Sequence, residues 1–394
     1  LAIGAHGDHR HIAPRRQFAH DRSGRDVENL RQRRHDLRAA IPERGPRVGM
    51  PHPRVRPGKL QQPSSRRRLP QPHSAGRSGR QQAVAIGAER RCRDTAFVRT
   101  DPGWDREVCV AWLERQAVLF DLDGTLLRSD RTVAEPVLSC LRRLGELGIA
   151  RVIATGRSLF SFNTVAAGGL PVDFVIFSTG AGVADYPHGK ILRSVSLETG
   201  DVRRAFAALR ALELDFMVQR PIPDSHVFGY VASNSSNPDF ERRIALYSRF
   251  AFPWDGDIER FGPATQLVAI VPPDRAQEAL TRVRRRLASL TVIQTTSPLD
   301  GQSTWIEIFP AGVSKSCTAQ WLASKLGASR HKALAVGNDF NDLDLLEWAR
   351  TRFVVANAPP ELMRRFPVVA SNNDDGVAEA IALWLKMQGA RSRL

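Results

Sequence analysis

The chain has 394 residues and a formal charge of +16, with 57 Lys and Arg against 41 Asp and Glu. The excess is local: residues 1–110 hold 24 basic and 11 acidic side chains, and the remainder is close to neutral. The overall pI of 10.8 therefore does not mark the remainder as a binder of nucleic acid or membrane. No stretch approaches the roughly 18 apolar residues of a membrane-crossing helix, so no such helix is expected.

Residues 1–110 lack core-forming side chains. Leu, Ile, Val and Phe number 18 there, about 16%, under the roughly 20% expected of a chain that buries a core. With little apolar burial to offset the entropy of ordering, a disordered basic segment is expected. Three origins stay open for it. It reads as non-native upstream sequence translated from too early a start, as a basic arm for nucleic acid or anionic surfaces, or as a targeting peptide. Aromatics that such an arm would interleave are few (Phe18, Phe97, Trp104), and Asp21, Asp26 and Glu28 argue against a targeting peptide. The four cysteines, Cys92, Cys109, Cys140 and Cys317, form no CxxC pair and no metal spacing, so reduced thiols are expected.

From Gln116 the texture changes. Ala117-Val118-Leu119-Phe120 reads as a buried strand. Val137, Leu138, Leu141, Leu144 and Leu147 set a helical period over 133–147, and apolar runs at 150–154 and 174–177 read as further strands. The pattern returns late, with a helix over 313–326, a strand over 333–336, a helix over 340–349, a strand over 353–355 and a closing helix over 377–385. Strands alternating with helices predict an α/β domain with a doubly wound parallel sheet, made of 116–183 and 304–390. Between these halves, runs at 216–218, 228–231, 266–271 and 291–295 alternate or adjoin turn residues, with helices over 201–212 and 274–288. They predict an inserted α+β domain over 184–303.

Ligands of open α/β sheets gather at the carboxyl ends of the strands, and four polar motifs fall there. Asp121-Leu122-Asp123-Gly124-Thr125 follows the first strand. Two carboxylates this close repel unless a cation lies between them, and Mg²⁺ takes a few carboxylates together with phosphate oxygens and water. The plainer alternative is an acidic turn. In Thr155-Gly156-Arg157 a hydroxyl and backbone N–H groups at a strand-to-helix junction suit a phosphate oxygen, or simply cap a helix. Lys315 opens a helix, where the dipole disfavours a cation and so favours an anionic partner; taken alone, a solvated lysine is the plainer alternative. Gly337-Asn338-Asp339-Phe340-Asn341-Asp342 follows a strand and reads as a ligand loop or as an Asx-rich cap.

Phe120 to Leu126 resembles the first motif of the haloacid dehalogenase superfamily, and the other three stretches resemble its remaining motifs in the family's order. The resemblance spans about 116–388. It implies a Rossmann-like core, Asp121 as a nucleophile that forms an aspartyl-phosphate, and Asp123 as general acid and then base. It implies Thr155, Gly156, Lys315 and Asn341 as phosphate ligands, and Mg²⁺ at Asp121, Asp123, Asn338, Asp339 and Asp342. Asp123 points to phosphate esters, since the family's dehalogenases lack it and its ion pumps carry Thr there. One position departs from the pattern: Asn338 stands where the family has Asp, and the carboxylate has moved to Asp339. The insertion resembles the α+β cap of the Cof-type branch, which includes sucrose-phosphate phosphatases and phosphomannomutases. Trp305-Ile306-Glu307-Ile308 fits that branch, as does Ser178-Thr179-Gly180-Ala181, with Thr179 where Asn is common. Arg220, His226, Asn234 and Gln302 are the candidate substrate contacts of the cap. The implied function is a cytoplasmic, Mg²⁺-dependent phosphomonoester hydrolase for a sugar phosphate or similar small phosphate ester. A phosphohexomutase with the same intermediate, and a nucleic-acid-associated protein acting through the basic arm, are the alternatives.

Overall fold

In the computed structural model, residues 115–166, 169–186, 188–233 and 236–391 are described. The expectations for 1–110 and for Asn234 lie outside them. The first strand, β1 (Arg115–Phe120), ends in four buried residues because both of its faces are covered. Val118 and Phe120 pack with Val137, Leu141 and Leu144 of α1 (Glu135–Glu146) and with Ile381 and Trp384 of the closing helix Gly376–Arg391. Ala117 and Leu119 point the other way, into a cluster with Leu322 of the helix Lys315–Leu326 and Leu345 of the helix Leu343–Trp348. The period-2 alternation of one strand thus serves two helical layers.

Further along come β2 (Ala150–Ala154), α2 (Leu159–Val165), β3 (Phe174–Phe177), β4 (Gly182–Asp185) and β5 (Ile191–Ser194). The cap follows with α3 (Thr199–Arg210), β6 (Asp215–Gln219), β7 (Phe228–Val231), α4 (Pro238–Leu246), β8 (Ala251–Pro253), α5 (Ile258–Phe261), β9 (Gln266–Val271), α6 (Ala276–Arg286), β10 (Thr291–Thr296) and β11 (Thr304–Phe309). The chain then returns through α7 (Lys315–Leu326), β12 (Ala328–Gly337), α8 (Leu343–Trp348), β13 (Thr351–Val355), α9 (Pro360–Met363), β14 (Val368–Val369) and α10 (Gly376–Arg391).

One sheet runs β14-β13-β12-β1-β2-β3-β4-β5, parallel from β14 through β3 and antiparallel at β4 and β5. From β1 the chain first builds outward through β2 and β3, and later returns to β12 on the other side. The switch point therefore lies between β1 and β12. The second sheet runs β10-β11-β9-β6-β7-β8 and is antiparallel except for β7 with β8. Helices α3 and α6 cover one of its faces, through Leu209 and Val283. On the other face, Phe240 and Ile244 of α4 pack with Phe228 and Trp305.

The boundaries differ from those expected. β5 belongs to the first sheet and β11 to the second. A hairpin extends the parallel sheet beyond residue 184, and β11 pairs with β9 and β10 before the chain returns to the core. Cys140 is a free, half-buried thiol; the expectations for Cys92 and Cys109 lie outside the described residues. Among the described residues no helix is long and apolar enough to cross a membrane.

Candidate active site

Parallel register brings the motifs together. Phe120 pairs with both Val336 and Ile153, so Asp121, Thr155 and the 337–342 loop leave adjacent strands at one level. The Asp121 N–H donates to Val336 O at 2.9 Å, which continues the ladder one residue past the strand. Gly124 turns the chain back at φ 74°, and a side chain there would meet the Asn338 amide at 2.6 Å.

Lys315 is the first residue of α7 and is fully buried. Its Nζ donates to Asp121 Oδ1 and to Asp342 Oδ1, both at 2.6 Å. Burial works against its charge, but the two carboxylates outweigh burial and hold its pKa above the ordinary lysine value. Burial and Asp342 push the Asp121 carboxyl up to about 8 against the pull of Lys315. Both directions follow from one arrangement: two enclosed carboxylates share one ammonium, so the ammonium stays charged and one negative charge is surplus.

Asp342 accepts the Asn338 and Asp339 N–H groups on its second oxygen, at 2.9 and 3.1 Å. It thereby fixes the loop. Asp339 points elsewhere than expected. Its carboxylate accepts from the N–H and the hydroxyl of Thr296 on β10, each at 2.8 Å. The reason is local: Asp339 and Asp342 form a reciprocal capping box on the short turn 340–342, and this turns Asp339 toward the cap.

The Asn338 amide stands where the expected ligand belongs. One of its two polar atoms lies 3.1 Å from the Asp123 carbonyl oxygen, 3.2 Å from Asp121 Oδ2 and 3.1 Å from the Thr125 hydroxyl. With nitrogen in that place the amide donates to all three; with oxygen there, it accepts from the Thr125 hydroxyl at 3.1 Å and faces the Asp123 carbonyl and Asp121 Oδ2 with no hydrogen between them. Adjacent ligands of a small octahedral cation with bonds of about 2.1 Å stand about 3.0 Å apart, so this spacing suits Mg²⁺. The surplus negative charge suits it as well. Among the described residues no three His, Cys, Asp or Glu side chains form a metal cluster. A donor set of one carboxylate, one backbone carbonyl and one amide would leave Mg²⁺ positions for water and phosphate. The side chains of Asp123, Asp339 and Asp342, expected at the metal, are engaged by Arg157, Thr296 and Lys315 respectively.

Arg157 was not assigned a role from sequence. Its guanidinium grips Asp123 with two bonds of 2.6 Å and donates to the Ser161 hydroxyl at 2.9 Å. Its own N–H donates to Thr155 Oγ1 at 3.1 Å. A charged residue directly after the Thr-Gly turn was the available signal.

Around Gly156, the position of a hypothetical Cβ lies 3.4 Å from Thr179 Oγ1, 3.7 Å from Asn341 Nδ2 and 4.0 Å from Glu307 Oε1. Ser178 and Thr179 both hold left-handed backbone, at φ 47° and 52°. Such strain persists where surrounding contacts over-determine it, and here it lets Thr179 donate to Glu307 Oε2 at 2.8 Å. Glu307 thus carries the cap sheet to the core. Burial pushes its carboxyl up to about 7, against the Thr179 bond and Lys315. A raised carboxyl pKa stabilises the fold below the unfolded value of 4.5, and that stability is lost as pH rises through about 7. Glu307→Gln, which stays neutral, is therefore expected to gain stability over wild type by roughly 2.5 kcal/mol between pH 5 and pH 8. Urea unfolding at both pH values measures it; an equal difference at the two would refute the assignment.

Of the cap candidates, His226 reaches the core, stacking on Phe160 of α2 at 4.3 Å. Arg220 lies over the Phe261 ring within the cap, and Gln302 sits in an exposed turn. Neither joins the cluster. Long polar side chains beside strands did not reveal their direction in sequence.

A family of haloacid dehalogenase-like hydrolases matches residues 118–381. The HMP-PP phosphatase of Cronobacter sakazakii is 27% identical over 278 residues, 68% of this chain and 94% of that protein. A phosphatase of the same superfamily from Bacteroides thetaiotaomicron shares the fold at TM-score 0.56 and 20% identity, covering 72% of this chain and 99% of that one. A subclass IIB sugar phosphatase shares it at TM-score 0.55 and 15% identity, over 68% and 98%. The chain belongs to the haloacid dehalogenase-like hydrolases, as a phosphatase of their Cof-type branch.

Proposed function

We infer that the protein is a Mg²⁺-dependent phosphomonoester hydrolase working through an aspartyl-phosphate on Asp121, with a sugar phosphate or similar small metabolite as substrate. The buried Lys315 shared by Asp121 and Asp342 carries this reading. An enclosed ammonium between two carboxylates at a switch point is placed to neutralise an incoming phosphoryl group. Similarity to an HMP-PP phosphatase and a sugar phosphatase supports a small phosphate ester.

Asp121 attacks phosphorus and the bond to the leaving oxygen breaks. Asp123 gives that oxygen a proton, then takes one from the water that attacks the phosphorus and frees Asp121. Both Asp123 oxygens are held by Arg157, so Asp123 must release at least one of those bonds to reach the leaving oxygen. Lys315, Thr155, the backbone at Gly156 and Asn341 face the phosphoryl oxygens. Asp121, the Asp123 carbonyl and Asn338 would hold Mg²⁺, which supplies charge neutralisation when bound.

The test is a panel of phosphate esters given to the full chain, with orthophosphate and sugar isomers both measured. Orthophosphate release that disappears with chelator is expected. Isomer interconversion without release would instead establish the mutase.

A further inference from the structure

We propose that Arg243 is an anion-binding residue of the cap, and that the preferred substrate carries a second anionic group on its leaving group. Arg243 stands on α4, packed on the sheet face that holds Trp305. Glu307, two residues along the same strand, shares that face and reaches the core through Thr179. The face therefore looks toward the reacting carboxylates.

The Arg243 guanidinium carbon lies 3.8 Å from the Tyr247 ring centroid, 5.2 Å from Trp305 and 5.9 Å from Phe228. Part of the side chain meets solvent, but its Nε is sealed with no hydrogen-bond partner. Among the described residues no carboxylate lies within ion-pair distance of it. Burial holds its pKa below the ordinary arginine value; Tyr247 and Glu307 oppose this and Arg157 adds to it. Ring contacts return about 0.5–2 kcal/mol. The Tyr247 hydroxyl also engages the guanidinium, but the enclosed Nε stays unpaired, which costs about 1–3 kcal/mol, and more when charged, so the rings and a neutral hydroxyl do not account for this cation. Arg157 is the contrast, since Asp123 meets its charge.

Position identifies which part of a substrate Arg243 meets. From Asp123, contacts run through Arg157 to Ser161. Tyr247 stands in the electrostatic reach of Ser161, Arg157 and Arg243 together. Arg243 is thus reached from Asp123, the group that serves the leaving oxygen, through Arg157 and Tyr247. The inference rests on the proposed role of Asp123. A phosphate or a carboxylate on the leaving group fits a guanidinium fork equally well.

The experiment uses p-nitrophenyl phosphate hydrolysis by the full chain, with glucose 6-phosphate, 6-phosphogluconate and glucose 1,6-bisphosphate as competitors. Wild type is expected to bind one or both of the two-anion competitors about tenfold tighter than glucose 6-phosphate. Whichever of the two binds tighter identifies the carboxylate or the phosphate. Arg243→Gln should collapse the preference to about twofold or less, and Arg243→Lys should keep part of it. The ratio divides out any general loss, and thermal unfolding of each variant reports on the fold. A preference that survives in Arg243→Gln, or its absence in wild type, overturns the proposal. Failure of wild type to hydrolyse p-nitrophenyl phosphate at all would instead count against the phosphatase mechanism beneath it.

Discussion

Asp121→Asn is expected to lower phosphatase turnover by about four orders of magnitude or more while leaving the protein folded. The amide oxygen is a poor nucleophile, and no other carboxylate can take over the in-line position. Asp342 is bound to Lys315 and to two backbone N–H groups, and Asp123 to Arg157. The fold should not suffer. Burial and Asp342 already push Asp121 up to about 8, so a neutral side chain of the same shape relieves the crowding of negative charge. Lys315 keeps Asp342 as its partner. Thermal unfolding should therefore give a midpoint equal to or above wild type. Retained activity above about one per cent would remove Asp121 from the nucleophile's place, since loss of a nucleophile costs far more than that.

The core was legible because its strands are short apolar runs buried on both faces. Ala117 to Phe120 and Val152 to Ala154 cannot remain in water, and the acidic or hydroxyl residue that ends each run marks the strand's carboxyl end. Asp121 and Thr155 follow from those ends, whereas Lys315 opens α7 and Asp342 closes the turn after β12. The cap was only partly legible. Helix α4 was not expected; Asn237 caps it by accepting the Phe240 N–H, and Pro238 takes its first position, where no N–H is needed. Arg243 and Tyr247 were lost with it. Thr304 to Phe309 was assigned to the core because it leads into the Lys315 helix; its true neighbours, β9 and β10, are fixed by long-range pairing that no local pattern reveals. The direction of Asp339 was likewise hidden, since its two bonds go to Thr296, 43 residues away.

Asn338→Ala is expected to raise the Mg²⁺ concentration for half-maximal activity at least tenfold, since loss of even an outer partner of a metal ligand costs about ten- to a hundredfold. The amide lies against Asp121 Oδ2 and the Asp123 carbonyl. Without a cation its nitrogen is best turned to them, donating to both; holding Mg²⁺ requires the oxygen there, at the loss of those bonds. A neutral ligand also adds no charge, so both effects weaken binding relative to a carboxylate. Asn338→Asp should lower the half-saturating Mg²⁺ concentration and destabilise the metal-free protein, because it adds a negative charge beside Asp121, whose pKa Asp342 already raises. The gain in unfolding temperature on adding Mg²⁺ should accordingly be larger in Asn338→Asp than in wild type. Asp339→Ala removes the Thr296 contacts and should leave calorimetric Mg²⁺ affinity within about twofold, since a group acting only through its field contributes little beside a direct ligand. If Asp339→Ala abolishes Mg²⁺ binding while Asn338→Ala leaves it intact, the ligand is Asp339, and its bonds to Thr296 must break whenever the metal is held.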